Sequence, residues 1–207
     1  MILKIDKLET SPFSYEEVAN LMHLSFEERL AQGLQFTCSS MTASQFRKKT
    51  EKGIVLVAWD TESTSLLGTA TVSIRKDKKG IVYGYNEYLA IHPSAKRLGL
   101  GTRLLEERII VIIRAGGQYV ISDTAVGADS SVKWHLKNGF KIVGLKSYLS
   151  TNYYSYLFRK QLTPSRIWDN SLYVWLVYSK SALFTRVWQK ADGTPTIVHK
   201  VIKGIAK

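Results

Sequence analysis

Cysteine is nearly absent, with one in 207 residues, prolines number four, and 17 acidic residues face 29 basic ones. A single thiol, Cys38, excludes an internal disulfide and suits a reducing compartment. With no motif around it, Cys38 reads as a core filler rather than a nucleophile. Nothing approaches the ~18 consecutive apolar residues of a spanning helix, the longest uncharged apolar run being the seven residues Leu172 to Tyr178. Met1-Ile2-Leu3-Lys4-Ile5-Asp6-Lys7 interleaves charge with apolar side chains and lacks the apolar core of a secretory signal. The expected location is cytoplasmic, with a peripheral place at the inner face of a membrane as the variant.

What is present is a 45% hydrophobic chain with a net charge of +12, enough apolar side chain for one core of ordinary size. The charge calls for an anionic partner or a strongly solvated surface. It is unevenly spread. Residues 1–150 hold 20 Lys/Arg against 15 Asp/Glu, whereas residues 151–207 hold 9 against 2.

Along the chain, Ser14 and Glu17 form a capping-box pattern, and Val18, Leu21, Met22 and Phe26 repeat at helical spacing, which predicts a helix from about Tyr15 to Ala31. A shorter helix is expected around Gln45 to Lys49. Strands are expected at Ile54–Trp59, Leu66–Ile74 and Ile81–Ile91, with Asp77-Lys78-Lys79-Gly80 as a hairpin turn. The run Ile109 to Ile113 favours a strand by propensity. Leu104, Leu105, Arg108 and Ile112 nevertheless keep helical spacing and Gly116-Gly117 supplies a stop, so a helix from about Thr102 to Arg114 is expected. A strand at Tyr119–Asp123, a helix at Asp129–Lys137 and strands at Lys141–Tyr148 and Tyr153–Arg159 complete an α/β pattern with a mixed sheet.

The chemistry-bearing segment is the turn Lys96-Arg97-Leu98-Gly99-Leu100-Gly101 ahead of the third helix. Free N–H groups at a helix start, glycines that let the main chain approach, and two cations together suit a pyrophosphate. A glycine pair alone can equally be turn geometry. A dinucleotide fingerprint would require a third glycine where Leu104 stands, and Thr102 after Gly101 rules out the Gly-Lys-Ser/Thr of a Walker loop.

Glu87-Tyr88-Leu89-Ala90-Ile91-His92-Pro93 followed by Lys96-Arg97-Leu98-Gly99-Leu100-Gly101-Thr102 resembles the acyl-CoA-binding motif of the GNAT superfamily, Gln/Arg-x-x-Gly-x-Gly/Ala, with Lys96 at the Gln/Arg position. The next family motif, a helix ending in Gly-Phe, looks matched by Ser130 to Phe140. The resemblance covers residues 1–160 and implies a GNAT acyltransferase domain there, with 161–207 as a basic, aromatic C-terminal extension.

That resemblance implies acetyl-CoA as the acyl-donor substrate, an amine as acceptor, and no metal. Main-chain groups of Leu89, Ala90 and Ile91 would pair with the pantetheine arm as an added strand. Lys96, Arg97, Leu98, Gly99, Leu100, Gly101 and Thr102 would take the pyrophosphate, with Ser131 and His135 as further contacts. The thioester would then lie between Glu87–Ala90 and Tyr119–Asp123, where an amine of pKa near ~10 must lose a proton and a thiolate must leave. Glu87 is the first candidate base and Asp123 the second; the alternatives are a solvent-facing glutamate and a capping aspartate. His135 stands where the family often has a tyrosine acid, and reads either as that acid or as a packing and hydrogen-bonding residue. Ala128 replaces the usual Asn at the start of this helix.

The extension sets Trp168, Tyr173, Trp175, Tyr178, Phe184 and Trp188 among Arg166, Lys180, Arg186, Lys190, Lys200 and Lys203. Its first reading is a helix (Leu172–Trp188) and a strand (Thr196–Ile202) packed on the domain or on a second subunit of a homodimer. Contact with an anionic membrane surface comes next, and nucleic acid last. The expected activity is acetyl transfer to the primary amine of a small molecule or amino sugar, with a protein or peptide amine as the nearest variant. A binding module without turnover, held to a membrane or nucleic acid by the tail, is the alternative from another class.

Overall fold

The computed structural model describes residues 2–31, 33–148 and 151–163. The expected tail helix and strand, and the reading of 161–207 as a separate extension, fall on or beyond the end of these residues. The elements are β1 (Leu3–Lys7), α1 (Tyr15–Ala31), α2 (Ala43–Thr50), β2 (Gly53–Asp60), β3 (Ser65–Lys76), β4 (Val82–Ile91), α3 (Leu100–Arg114), β5 (Tyr119–Ala125), α4 (Asp129–Lys137), β6 (Lys141–Ser147) and β7 (Tyr154–Gln161). The described residues form two compact units, 2–27 with 38–121, and 28–37 with the described residues from 122 onward. Elements α1 and β5 each run from one unit into the other.

In the first unit β1, β2, β3 and β4 make an antiparallel meander, and the start of β5 pairs with β4 in parallel. The mixed sheet expected from the alternation of elements is thus present. Strand β1 was not expected, although Leu3-Lys4-Ile5-Asp6-Lys7 alternates at the two-residue period of a strand. Its charged residues are tied down: Asp6 accepts from Trp59 Nε1–H at 3.0 Å and pairs with Lys4 at 3.0 Å.

Helix α1 begins on the expected box, Ser14 N–H donating to Glu17 Oε2 at 2.7 Å while Glu17 N–H donates to Ser14 Oγ at 3.3 Å. Thr42 and Gln45 make the same reciprocal cap for α2. Helix α3 keeps Leu104, Leu105, Arg108 and Ile112 buried, so the stripe at helical spacing overrides the β-propensity of the isoleucines. It lies close over β4: a Cβ on Gly84 would run into the Ile112 side chain. On this face Leu56, Ala58, Ala70, Ala95, Leu100 and Leu104 form a core cluster. Val55, Val57, Thr69 and Thr71 are buried on the opposite face.

In the second unit the strand order is β5-β7-β6, with β6 and β7 antiparallel. Helix α4 packs through aromatic contacts, His135 stacking on Phe158 at 4.4 Å and meeting Phe140 edge-on at 5.2 Å. Buried Asn152 accepts from Gln35 N–H at 3.0 Å and donates to the Gly33 carbonyl at 2.7 Å, fixing the segment after α1.

Candidate active site

Strand β4 carries a bulge. Thr71 faces Glu87 and Thr69 faces Ala90, so Tyr88 and Leu89 together oppose Ala70. Tyr88 sits at φ +50°, in the left-handed region that a bulky side chain seldom enters. Beyond the bulge Leu89 and Ile91 pack against the α3-side cluster. Glu87 points to the other face, where its carboxylate accepts from Ser73 Oγ at 3.1 Å and pairs with Arg75 at 3.0 Å. Arg75 also lies 4.1 Å over the Tyr85 ring. Tyr88 meets Phe46 edge-on at 5.5 Å, and Phe46 meets Tyr15 at 5.9 Å. The same face holds Thr71, whose Oγ1 is buried without a hydrogen-bond partner. Polar and aromatic groups thus gather around one carboxylate, with a hydroxyl able to accept or donate.

The β4–β5 ladder comprises Tyr83↔Tyr119, Gly84↔Val120 and Tyr85↔Ile121. Among the described residues β4 therefore continues for six residues, Asn86 to Ile91, past its last pair with β5.

After β4, His92 caps a 3-10 turn at Pro93–Ala95: Ser94 N–H donates to His92 Nδ1 at 3.2 Å. Lys96, Arg97, Leu98 and Gly99 are exposed. Arg97 has φ +68° and Gly99 φ +76°, so the main chain turns twice through the left-handed region before α3. Gly99 is the N-cap, and no atom lies within 4 Å of where its Cβ would be. Glycine is needed here for conformation rather than room. Helix α3 starts at Leu100, two residues earlier than expected, because the Gly99 carbonyl already accepts from Thr102 and Arg103 at 3.0 and 3.1 Å. The Leu100 side chain is 2% exposed within the core, which leaves only its main chain for a ligand.

One turn before Ile112, Arg108 is 2% exposed and its Nε–H donates to the Leu104 carbonyl at 3.3 Å. Burial pushes its pKa well below the usual guanidinium range, to about 9.

In the second unit His135 is buried and held at both nitrogens. Nδ1 lies 2.7 Å from the Ser131 carbonyl, and Nε2 lies 2.9 Å from Ser122 Oγ. A carbonyl only accepts, so Nδ1 carries a proton and Nε2 is the nitrogen turned to Ser122. Asp123 follows Ser122 and, by strand alternation, takes the opposite face of β5. Ala128 begins α4 without a side-chain cap.

The structure thus gathers Glu87, Leu89, Ala90, Ile91 and the turn Lys96–Thr102 on consecutive parts of the first unit, and Asp123, Ser131 and His135 on the second. Sequence reading missed Ser73, Arg75 and Ser122. The first two had a signal, since Thr71, Ser73 and Arg75 share a face at two-residue spacing; Ser122 had none, because its partner is 13 residues away across a loop.

A family model described as the acetyltransferase (GNAT) family matches residues 15–140. Among proteins of curated function, none matches this sequence. Similar solved structures include the NatC complex bound to Gag peptide and CoA, 15% identical, covering 79% of this chain and 100% of that one at TM-score 0.62. YncA from Salmonella typhimurium with its cofactor acetyl-CoA is 14% identical, with coverage of 82% and 99% and TM-score 0.58. The PaiA N-acetyltransferase from Thermoplasma acidophilum in complex with coenzyme A is 15% identical, with coverage of 78% and 99% and TM-score 0.59. At these identities the likeness is one of fold.

Proposed function

The chain belongs to the acetyltransferase (GNAT) family of acyl-CoA-dependent enzymes, and from that membership we propose that it acetylates a primary amine of a small molecule or amino sugar by direct attack on the thioester of acetyl-CoA. The observation that carries this reading is the turn ahead of α3. Two left-handed residues, Arg97 and Gly99, present an exposed main chain at the N-terminus of a 15-residue helix, with Lys96 and Arg97 adjoining. Such a turn fits a pyrophosphate, since helix dipole, N–H groups and cations favour the same charge.

Residues Lys96 to Thr102 hold the pyrophosphate, the side chain of Leu100 excepted. Leu89, Ala90 and Ile91 offer main-chain groups to the pantetheine arm, and the length of β4 beyond its last pair with β5 supports this. When bound, acetyl-CoA supplies the acetyl group and a thiol leaving group.

Glu87 takes the ammonium proton, directly or through a water molecule. Ser73 and Arg75 fix its carboxylate, and the aromatic side chains Tyr15, Phe46, Tyr85 and Tyr88 bound the acceptor's approach. Asp123 is the second candidate for the base. His135 supplies the proton for the leaving group, with Ser131 fixing its tautomer.

Thiol release from acetyl-CoA, followed across a panel of amino sugars, small primary amines and N-terminal peptides, tests the proposal. Turnover confined to peptides would overturn the choice of a small acceptor. Absence of turnover with every amine, despite acetyl-CoA binding, would favour a binding module.

A further inference from the structure

We propose that the acceptor carries an anionic group, carboxylate or phosphate, beside its amine, and that Arg75 holds that group while Glu87 holds the amine. The inference rests on the acetyl-transfer reading above and narrows its acceptor to acidic amines. Both residues belong to the first unit and both are open to solvent, the Arg75 side chain being 42% exposed and that of Glu87 25%.

A guanidinium presents five N–H groups in one plane. Nη2 of Arg75 donates to Glu87 Oε2 at 3.0 Å, and its central carbon lies 4.1 Å over the Tyr85 ring. One edge and one face of the group are thus engaged, and the rest of the fork borders solvent. Ser73 already donates to the same carboxylate oxygen at 3.1 Å, so orienting Glu87 does not by itself call for a full guanidinium. The pairs Thr71↔Glu87 and Ser73↔Tyr85 hold base, ring and guanidinium on one face of two adjoining strands. An ammonium on Glu87 and an anion on the outer edge of Arg75 lie roughly 4–6 Å apart, the span of two hydrogen bonds and the group between them. A short amino acid or an aminoalkyl phosphate has that separation.

The surroundings favour the same charge. Residues 47–52 carry four cations against one acid, residues 75–79 carry four against one, and all eight cations are exposed. The register Gly53↔Ser73 brings the two stretches to the same end of the sheet. Asp77, the acid of the second stretch, is taken up by its own turn: it accepts from the N–H groups of Lys79 and Ile81 at 2.8 and 3.0 Å and from the Tyr119 hydroxyl at 3.1 Å. Such an excess draws anions toward this end over about a Debye length, and Arg75 is the member of it that touches the base.

The test uses the full chain, acetyl-CoA and two matched pairs of acceptors: β-alanine with its amide, and aminoethyl phosphate with ethanolamine. The quantity read is the ratio of kcat/KM for the anionic over the neutral member, in which any loss from disturbing Glu87 cancels. Arg75→Gln is expected to lower that ratio about tenfold, chiefly through KM, and Arg75→Lys to restore part of it. Lys76→Gln removes an equal charge from the opposite face of β3 and is expected to leave the ratio within about twofold of the wild type. Independently of turnover, phosphorus NMR of aminoethyl phosphate with coenzyme A present should show line broadening by the wild type that Arg75→Gln abolishes. The pair with the larger ratio tells carboxylate from phosphate. An unchanged ratio in Arg75→Gln, with neutral amines turned over, overturns the inference and leaves acetyl transfer standing. An equal fall in Lys76→Gln overturns it too, since the preference would then belong to a diffuse field. If no amine is turned over although acetyl-CoA binds, the acetyl-transfer reading itself falls, and this inference with it.

Discussion

Glu87 and Tyr88 are consecutive residues of β4, yet both make their contacts on the face turned away from α3, Glu87 with Ser73 and Arg75, Tyr88 with Phe46. A regular strand would send them to opposite faces. The bulge at Tyr88–Leu89 makes the difference, and its cost is the left-handed Tyr88 at φ +50°.

That backbone cost is measurable by comparing two substitutions that both remove the ring. Tyr88→Asn places a residue tolerant of the left-handed region, and Tyr88→Val one that resists it. Urea unfolding should find the valine variant less stable than the asparagine variant by about 1 kcal/mol. Equal stability would mean that the bulge relaxes without cost.

Glu87→Gln keeps the hydrogen bond from Ser73 and removes the base. Turnover at neutral pH should fall by about 10²- to 10⁴-fold, and part of the loss should return as pH rises toward the acceptor's own pKa near ~10, where the amine deprotonates unaided. A parallel pH–rate profile for wild type and variant would instead assign the proton transfer elsewhere, Asp123 being next.

Arg108 provides a prediction about stability. Burial holds its folded pKa at about 9, well below its value in the unfolded chain. Between those values the unfolded chain binds a proton that the folded chain does not, so this residue's contribution to stability improves as pH rises through that window and is least favourable below about 9. Arg108→Met should therefore stabilise the protein at pH ~7, by on the order of 1–4 kcal/mol if the site behaves like other buried charges replaced by apolar side chains. The advantage should narrow above pH ~9. Denaturation curves at the two pH values check it, and a variant destabilised at neutral pH would show that the guanidinium holds the helix in place.

Legibility followed the range of the interactions. The cap at Ser14, the buried stripe of α3 and the stop at Gly116-Gly117 are local, and each was readable from neighbouring residues. The turn at Gly99 was readable too, because a glycine pair beside two cations states its own conformational and electrostatic needs. The bulge at Tyr88 was not: nothing in Glu87-Tyr88-Leu89 signals that Ala70 will face two residues at once. Nor did sequence indicate that His135 would be closed off by Ser122 and Ser131, since burial of a histidine depends on the strands packed around it. Strand β1 was missed for a different reason, as its charges, read as a mark against a signal segment, also hid a two-residue alternation.

The most direct test of the acetyl-CoA assignment is calorimetry of acetyl-CoA against the full chain and against Gly99→Val. A Cβ at Gly99 points into open space, with nothing but its chain neighbours within 4 Å, so the fold should survive at a cost of about 1–2 kcal/mol for a β-branched residue in the left-handed region, which thermal melting will register. Micromolar or tighter binding to the wild type, weakened at least about tenfold in the variant, with no heat from NAD, is the expected result. Binding of NAD with no heat from acetyl-CoA, or a Gly99→Val chain that binds acetyl-CoA as the wild type does, would contradict the placement of the cofactor at this turn.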